Sequence, residues 1–258
     1  MKFYKMHGAG NDFIFFTGNK IMSCAAVQKL CDRNFGIGAD GVIIIRRSVC
    51  SGYDFTMKYY NSDGSKANFC ANGARCSVLL ASRSGYFKGR RCSFKAGDGK
   101  HEAELLPGDK IKLELKKPEE YGAGLKFKGV GQECYFLNTG VEHVVCYTSQ
   151  IDKLDVKKLG SIIRYDSKFS KGTNVNFIQR ASSGNLRIRT YERGVEAETR
   201  ACGTGISAAG WLDMTLTGDY NERKITTADG IELTVSLEKE KLFLTGPAEL
   251  VFEGRITV

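Results

Sequence analysis

A chain of 258 residues, 42% hydrophobic and 26% charged, is long enough for one large domain or two lobes with cores of their own. The net charge of +9 invites a nucleic-acid reading, but the basic residues are spread along the chain, densest at Lys88-Gly89-Arg90-Arg91 and Lys126-Phe127-Lys128, and no recognition helix or aromatic-basic signature accompanies them. A solvated basic surface that mildly steers an anionic small molecule is the expectation, with no nucleic-acid partner. No apolar run approaches the roughly 18 residues of a membrane span, and Met1-Lys2-Phe3-Tyr4 opens on no signal peptide, so neither a membrane nor secretion is expected. Nine cysteines at irregular spacing suit reduced thiols in a cytoplasm. Cys70 and Cys76 are the only close pair near a motif and His7, His101 and His143 are scattered, so no metal site is expected.

Taken in order, Lys2 to Met6 reads as a strand, followed by a loop carrying Asn11 and a second strand, Phe13 to Phe16. Ser23 to Asn34 has a helical period that puts Val27, Leu30 and Cys31 on one face. Gly36-Ile37-Gly38-Ala39-Asp40-Gly41 fits the spacing of a dinucleotide loop, yet it follows a helix and leads into the strand Val42 to Arg46. The fingerprint needs strand then helix, so no nucleotide site is expected. Tyr53 to Tyr60 alternates as a half-buried strand, and Gly73 to Ser82 reads as a helix ending near Gly85. Strands follow at His101 to Leu106 and Lys110 to Lys116. Pro118 to Gly129, rich in glycine and charge, reads as the crossing between an N-terminal lobe, 1–117, and a C-terminal lobe, 118–247.

The second half repeats the plan. Glu133 to Leu137 and Glu142 to Tyr147 are expected strands, Val156 to Tyr165 a short helix, and Asn174 to Gln179 and Leu186 to Tyr191 strands. Ile206 to Leu212 is helical, and Asp229-Gly230 marks a hairpin between Lys224 to Thr226 and Ile231 to Ser236. Leu242 to Thr245 and Leu250 to Phe252 finish the pattern. Short strands joined by tight turns, with one long helix per half, point to an α+β fold of mostly antiparallel sheet.

The chemistry is suggested by a duplication. Cys70-Ala71-Asn72-Gly73 and Cys202-Gly203-Thr204-Gly205 each follow an alternating strand, ending in Tyr60-Asn61 and Tyr191-Glu192, and each opens a helix. A thiol at a helix N-terminus has its thiolate stabilised by unpaired N–H groups and the helix dipole, and the same groups can hold a carboxylate. Two such units facing one carbon could take a proton from one face and return one to the other, which is racemisation. Cysteine is also a common small core residue, and a single such motif would be read as inert packing. The repeated context is what favours chemistry.

These residues sit in stretches that resemble diaminopimelate epimerase, a family of amino-acid racemases independent of pyridoxal phosphate. The matching stretches are Met6 to Phe13, Gly36 to Gly41, Asn61 to Ser65 leading to Cys70, Gly172 to Phe177, Tyr191 to Gly194, Glu198 to Gly205 and Gly246 to Ala248, in the family's order. The resemblance implies two pseudo-symmetric lobes, each a mostly antiparallel barrel-like sheet around a central helix, with residues 248–258 returning to the first lobe. It implies Cys70 and Cys202 as catalytic acid and base, no cofactor, a small amino-acid substrate and a homodimer. It implies substrate contacts from Asn11, Asn61, Ala71, Asn72, Asn174, Glu192, Arg193, Gly203 and Thr204, with Arg193 clamping a distal carboxylate, Glu192 taking the distal ammonium and His143 with Glu192 tuning the thiols. Read without the family, Asn61 and Asn174 are ordinary turn residues and Glu192 with Arg193 a solvated pair.

The pattern is not followed everywhere. Ala71 stands at a usual glycine, Glu142 at a usual proline before His143, where a carboxylate could raise the imidazole's pKa, and Gly41 where some relatives carry a glutamine. The segment from Arg193 to Cys202 is one residue longer than in some relatives. Three functions follow: epimerisation of LL- and meso-diaminopimelate; racemisation of another amino acid such as histidine, or of a diaminopimelate analogue; and a basic binding protein that keeps the fold without catalysis.

Overall fold

The computed structural model describes residues 1–257, and for Glu120 the backbone alone. The chain divides into two units, Met1–Leu113 with Gly246–Val258, and Glu114–Thr245. In the first, β1 (Lys2–Gly8) and β2 (Asn11–Thr17) form a hairpin, α1 (Cys24–Cys31) follows, and β3 (Gly41–Arg47) returns parallel to β2. β4 (Phe55–Asn61) runs antiparallel to β3 and carries the short β5 (Lys66–Ala67). After α2 (Ala71–Arg83), β6 (Arg91–Ala96) lies parallel to β4, and β7 (Gly99–Leu106) and β8 (Lys110–Leu115) continue as an antiparallel meander.

The second unit begins with β9 (Glu120–Phe127), paired antiparallel to β10 (Val130–Asn138). From β10 onward its connectivity is that of the first unit from β1. β11 (Glu142–Tyr147) is the hairpin partner of β10, α3 (Val156–Arg164) follows, and β12 (Asn174–Arg180) lies parallel to β11. β13 (Leu186–Glu192) and β14 (Ala197–Thr199) precede α4 (Gly203–Thr217). β15 (Arg223–Thr226), parallel to β13, β16 (Glu232–Glu238) and β17 (Lys241–Pro247) close the repeat. β18 (Glu249–Arg255) pairs with β1 as β9 pairs with β10. The result is an α+β fold of two repeated lobes, mostly antiparallel.

The parallel pair β2–β3 falls where the sequence is apolar without a break: Phe13 to Phe16 and Val42 to Ile45 are buried on both faces. In the second unit Val175 to Ile178 are buried too, the polar Asn176 among them. α2 packs on β1, β2, β3, β4 and β7, and α4 on β11, β12, β13, β15 and β16. Helices enclosed this way are buried all round, and every residue from Ala71 to Ala81 is buried, Arg75 among otherwise small or apolar neighbours and Asn72. Gly73 lets α2 sink into the sheet, because a Cβ there would meet Ile43 Cδ1 at 2.4 Å. Gly205 does the same for α4, where a Cβ would meet Asn176 Oδ1 at 2.2 Å.

Several expectations are corrected. Residues 120–127 form β9 instead of a bare crossing; Gly124 at φ 67° makes an irregularity that the register of β9 on β10 absorbs. Asn11 lies in β2, not in a loop, opposite Gly8. Both long helices start directly after their cysteine, because small residues there give no reason to delay them. Strand β6 was not legible among its charges. Finally, not every cysteine is a thiol: Cys134 and Cys146 face each other across β10 and β11, Cα atoms 4.1 Å apart, and form a buried disulfide. Their equal distance from Gly140 in the hairpin was the available signal.

Candidate active site

Each unit holds one cysteine at the start of its buried helix. In the first, Cys70 is the N-cap of α2, in extended conformation at φ −146° and ψ 118°. Its side chain makes no capping bond to its own helix, so it does not compete for the first-turn N–H groups. Its Sγ–H instead donates to Asn11 Oδ1 at 3.6 Å, and Asn72 Nδ2 donates to the same oxygen at 3.3 Å. The other end of the Asn11 amide donates to Asp40 Oδ2 at 2.7 Å. Asp40 belongs to a cluster with Arg33, Asp12 and Lys5: Arg33 bridges both carboxylates at 2.8 Å, and Lys5 reaches Asp12 at 2.6 Å. Burial alone would push the Asp12 carboxyl up; hydrogen bonds from Arg33 and Lys5 outweigh it and hold the carboxyl at about 2.

Behind Cys70 lies Arg75, fully buried in α2. It donates to Asn72 Oδ1 at 2.9 Å, Pro247 O at 3.3 Å and Ala71 O at 3.4 Å. Ala71 has no left-handed φ, so the glycine usual in that position is not required by the backbone. Asn61, at the end of β4, donates to Ser65 Oγ at 3.0 Å. Gly41 has no room for a side chain: a Cβ would lie 2.5 Å from Tyr60 O.

In the second unit Cys202 is the N-cap of α4, at φ −109° and ψ 107°, again without a capping bond. Its Sγ is 3.4 Å from Thr204 Oγ1, which is 3.0 Å from His143 Nε2. His143 Nδ1 is 3.2 Å from Asn176 Nδ2. Burial, and then the charge of Arg193, push His143 down to about 3, so the imidazole is neutral near pH 7. The expected rise from Glu142 does not occur, because that carboxylate is turned to Arg193 Nη1 at 3.4 Å.

Asn174 and Arg193 are joined: Arg193 N donates to Asn174 Oδ1 at 2.9 Å, and Asn174 Nδ2 to Glu142 O at 3.2 Å. Arg193 Nη1 also donates to Lys171 O and Gly172 O, at 3.2 and 3.1 Å. Glu192 accepts from Thr199 Oγ1 at 2.8 Å. Gly203, buried, and Thr204 form the first turn of α4. Among the described residues no three or more His, Cys, Asp or Glu side chains are grouped to hold a metal ion.

The family model for diaminopimelate epimerase matches residues 3–119 and 135–251, one segment over most of each unit. The chain belongs to the diaminopimelate epimerase family. It is an enzyme, an isomerase. Diaminopimelate epimerase of Flavobacterium psychrophilum is 41% identical, covering 99% of this chain and 100% of that one. The Aquifex aeolicus diaminopimelate epimerase is 38% identical over 100% of this chain and 98% of its own. Among solved structures, a PhzF-family phenazine biosynthesis protein of Bacillus anthracis superposes with a TM-score of 0.78 at 12% identity, covering 100% and 99% of the two chains. A probable proline racemase of Agrobacterium radiobacter does so at 0.70 and 14%, covering 100% and 93%. These structures share the fold of this chain.

Within each unit the fold gathers residues that sequence reasoning named, Asn11, Asn72 and Cys70 in one, His143, Thr204 and Cys202 in the other. Asn61 is held by its own turn. Asp40, Arg75, Asn176, Thr190 and Thr199 were not singled out. For Asn176 a signal existed: it stands two residues from Asn174 in a strand, so both side chains leave the same face. For Asp40 the signal was the glycine-rich stretch itself, which serves as the turn from α1 into β3 and delivers a carboxylate to Asn11.

Proposed function

We propose that this enzyme interconverts LL- and meso-diaminopimelate without a cofactor, using Cys70 and Cys202 as paired acid and base, in the supply of lysine and peptidoglycan precursors in the cytoplasm. The observation that carries the reading is the repetition: in each of two repeated units a cysteine caps the buried helix with its thiol turned off the helix end. In the reaction one thiolate takes the α-proton, the electron pair of the C–H bond passes toward the α-carboxylate, and the opposite thiol delivers its proton to the other face. The cysteines end with exchanged protonation, so each direction of reaction starts from the other's final state. Two thiolates together would repel, so the pair titrates as a coupled unit. First-turn N–H groups of α2 and α4 would hold the α-carboxylate, and exclusion of water strengthens a thiolate as base toward a weakly acidic proton.

The distal amino acid centre distinguishes diaminopimelate from simpler substrates. Arg193 would take its carboxylate, with Asn61, Asn174 and Glu192 around it; the side-chain hydrogen bonds of Arg193 all use Nη1. A homodimer is part of the proposal, supported by β18, which pairs with β1 and carries the exposed Val251 and Phe252. The deciding experiment incubates the enzyme in D₂O with LL-diaminopimelate and a panel of L-amino acids, reading α-hydrogen exchange by mass. Exchange with diaminopimelate alone is expected. Exchange with histidine and not diaminopimelate would replace this substrate, and exchange with none would remove the catalytic reading.

A further inference from the structure

A hydroxyl can donate or accept, but a chain of hydrogen bonds tied to a group that only accepts has a fixed direction. Val144 O is such a group. It accepts from Asn176 Nδ2 at 3.3 Å, while Asn176 Oδ1 accepts from Thr190 Oγ1 at 3.0 Å. Turning the amide over would set two carbonyl oxygens against each other, so Nδ2 is also the atom that faces His143 Nδ1, as donor, at 3.2 Å. Nδ1 is then an acceptor, and the single proton of the neutral ring sits on Nε2. Nε2–H donates to Thr204 Oγ1 at 3.0 Å, which turns the threonine's own proton toward Cys202 Sγ at 3.4 Å. In this contact the sulfur accepts, the part a thiolate plays.

In the first unit the direction is opposite. Asp40 Oδ2 accepts from Asn11 Nδ2 at 2.7 Å, and Asn72 Nδ2 donates to Asn11 Oδ1 at 3.3 Å. Both fix Oδ1 as the atom facing Cys70 Sγ at 3.6 Å. A carbonyl oxygen only accepts, so here the sulfur donates, the part of a thiol.

We infer that the resting enzyme is polarised, with Cys202 as the base and Cys70 as the acid, and that Asn176 is the positioning residue that sets the polarity through the tautomer of His143. This rests on the two-thiol reading above and adds to it which cysteine holds the proton before substrate arrives. Charged groups flank both relays. Arg193 and Glu142 flank His143 as a pair, and Glu192 is bonded to Thr199. Arg75 favours a thiolate at Cys70, but its bonds go to Ala71, Asn72 and Pro247, and the Asp40 carboxylate one amide away from Sγ opposes it.

Two measurements on the intact free enzyme test this. In the ¹⁵N spectrum His143 should show a protonated Nε2 and an unprotonated Nδ1. Alkylation with iodoacetamide across pH, read peptide by peptide, should give Cys202 a midpoint below that of Cys70 by about one pH unit or more. Asn176→Asp presents only acceptors to Nδ1, so the ring should switch tautomer and the Cys202 midpoint should rise while that of Cys70 holds. Thr204→Val cuts the relay at an accessible position and should raise the Cys202 midpoint too, which decides the matter if the aspartate variant does not fold. Equal wild-type midpoints, a lower one for Cys70, or a Cys202 midpoint unmoved by Thr204→Val overturns the assignment. Failure of the two-thiol scheme reads out separately, as turnover that survives Cys70→Ala or Cys202→Ala.

Discussion

The two units have the same order of elements and the same strand pairings, and each caps its buried helix with a cysteine; what surrounds the two sulfurs is different. Cys70 faces amides backed by carboxylates, with Arg75 behind it in the helix. Cys202 faces a hydroxyl backed by a neutral imidazole. The backbone repeat places a thiol at a helix end twice, and the side chains on neighbouring strands decide what each thiol does with its proton. The buried charges of the two helices also differ. Arg75 in α2 is held by carbonyl and amide oxygens, whereas Asp213 in α4 is held by Arg223 Nε at 2.7 Å and by Tyr147 Oη at 3.1 Å.

If the thiols share the chemistry, removing either should be equally damaging. Cys70→Ala and Cys202→Ala should each lower kcat by about a hundred- to ten-thousand-fold, the range for loss of a general acid or base. Circular dichroism should show both variants folded. A variant that keeps near wild-type turnover would make the repeat structural in that unit.

The next effect concerns stability and one unit only. Asp213→Ala removes the buried carboxylate from Arg223 Nε and leaves it only the half-exposed Asp219 carboxylate, 3.1 Å from Nη2, so urea unfolding should show a cost of about 3 kcal/mol. A loss below about 1 kcal/mol would show that the remaining partners of Arg223, the Asp219 carboxylate and carbonyl, Asn221 O and Thr217 Oγ1, suffice.

Arg193→Lys separates substrate recognition from proton transfer. Lysine cannot form a planar fork, and a charge-assisted hydrogen bond contributes roughly 1.5–3 kcal/mol. On the proposed reading kcat/KM for diaminopimelate should fall about ten- to a hundred-fold, with little change for an amino acid that lacks the second carboxylate. An equal loss on both would make Arg193 a tuner of His143, which its charge already touches.

The smallest effect separates the units by pH. Asp12 has its carboxyl held at about 2, below the ordinary 3.8, so its contribution is complete above pH 3.8 and is lost as pH falls through about 2. Asp12→Asn should therefore cost about 2 kcal/mol near pH 7, and the gap to wild type should close below pH 2. His143 is held at about 3 against an ordinary 6.5, so the stability of its neutral form is complete above 6.5 and drains away as pH falls toward 3. His143→Gln should flatten that window and leave the lower one unchanged. Urea titrations at closely spaced pH would show whether the units lose acid stability in two ranges or one.

The sequence alone was enough for the elements whose reasons are local. The apolar period of α1, the small residues after each cysteine, the Asp229-Gly230 turn and the unbroken apolar run of β3 each carry their own explanation, and so did the duplication. β6 escaped because its few apolar residues stand among charges and β9 because it is broken by glycines and charges, and each is a strand because a neighbour offers it hydrogen bonds. The disulfide escaped because it depends on the register of a hairpin.

The helix-capping cysteines were therefore readable from the chain, since a cap is set by its own residue and the turn that follows. The direction in which each sulfur uses its proton was not. It depends on Asp40 reaching Asn11 from the turn before β3 and on Asn176 reaching His143 across a parallel pair, contacts 29 and 33 residues apart in sequence. Hydrogen-bond direction is a property of such closed networks, and only the tertiary structure closes them.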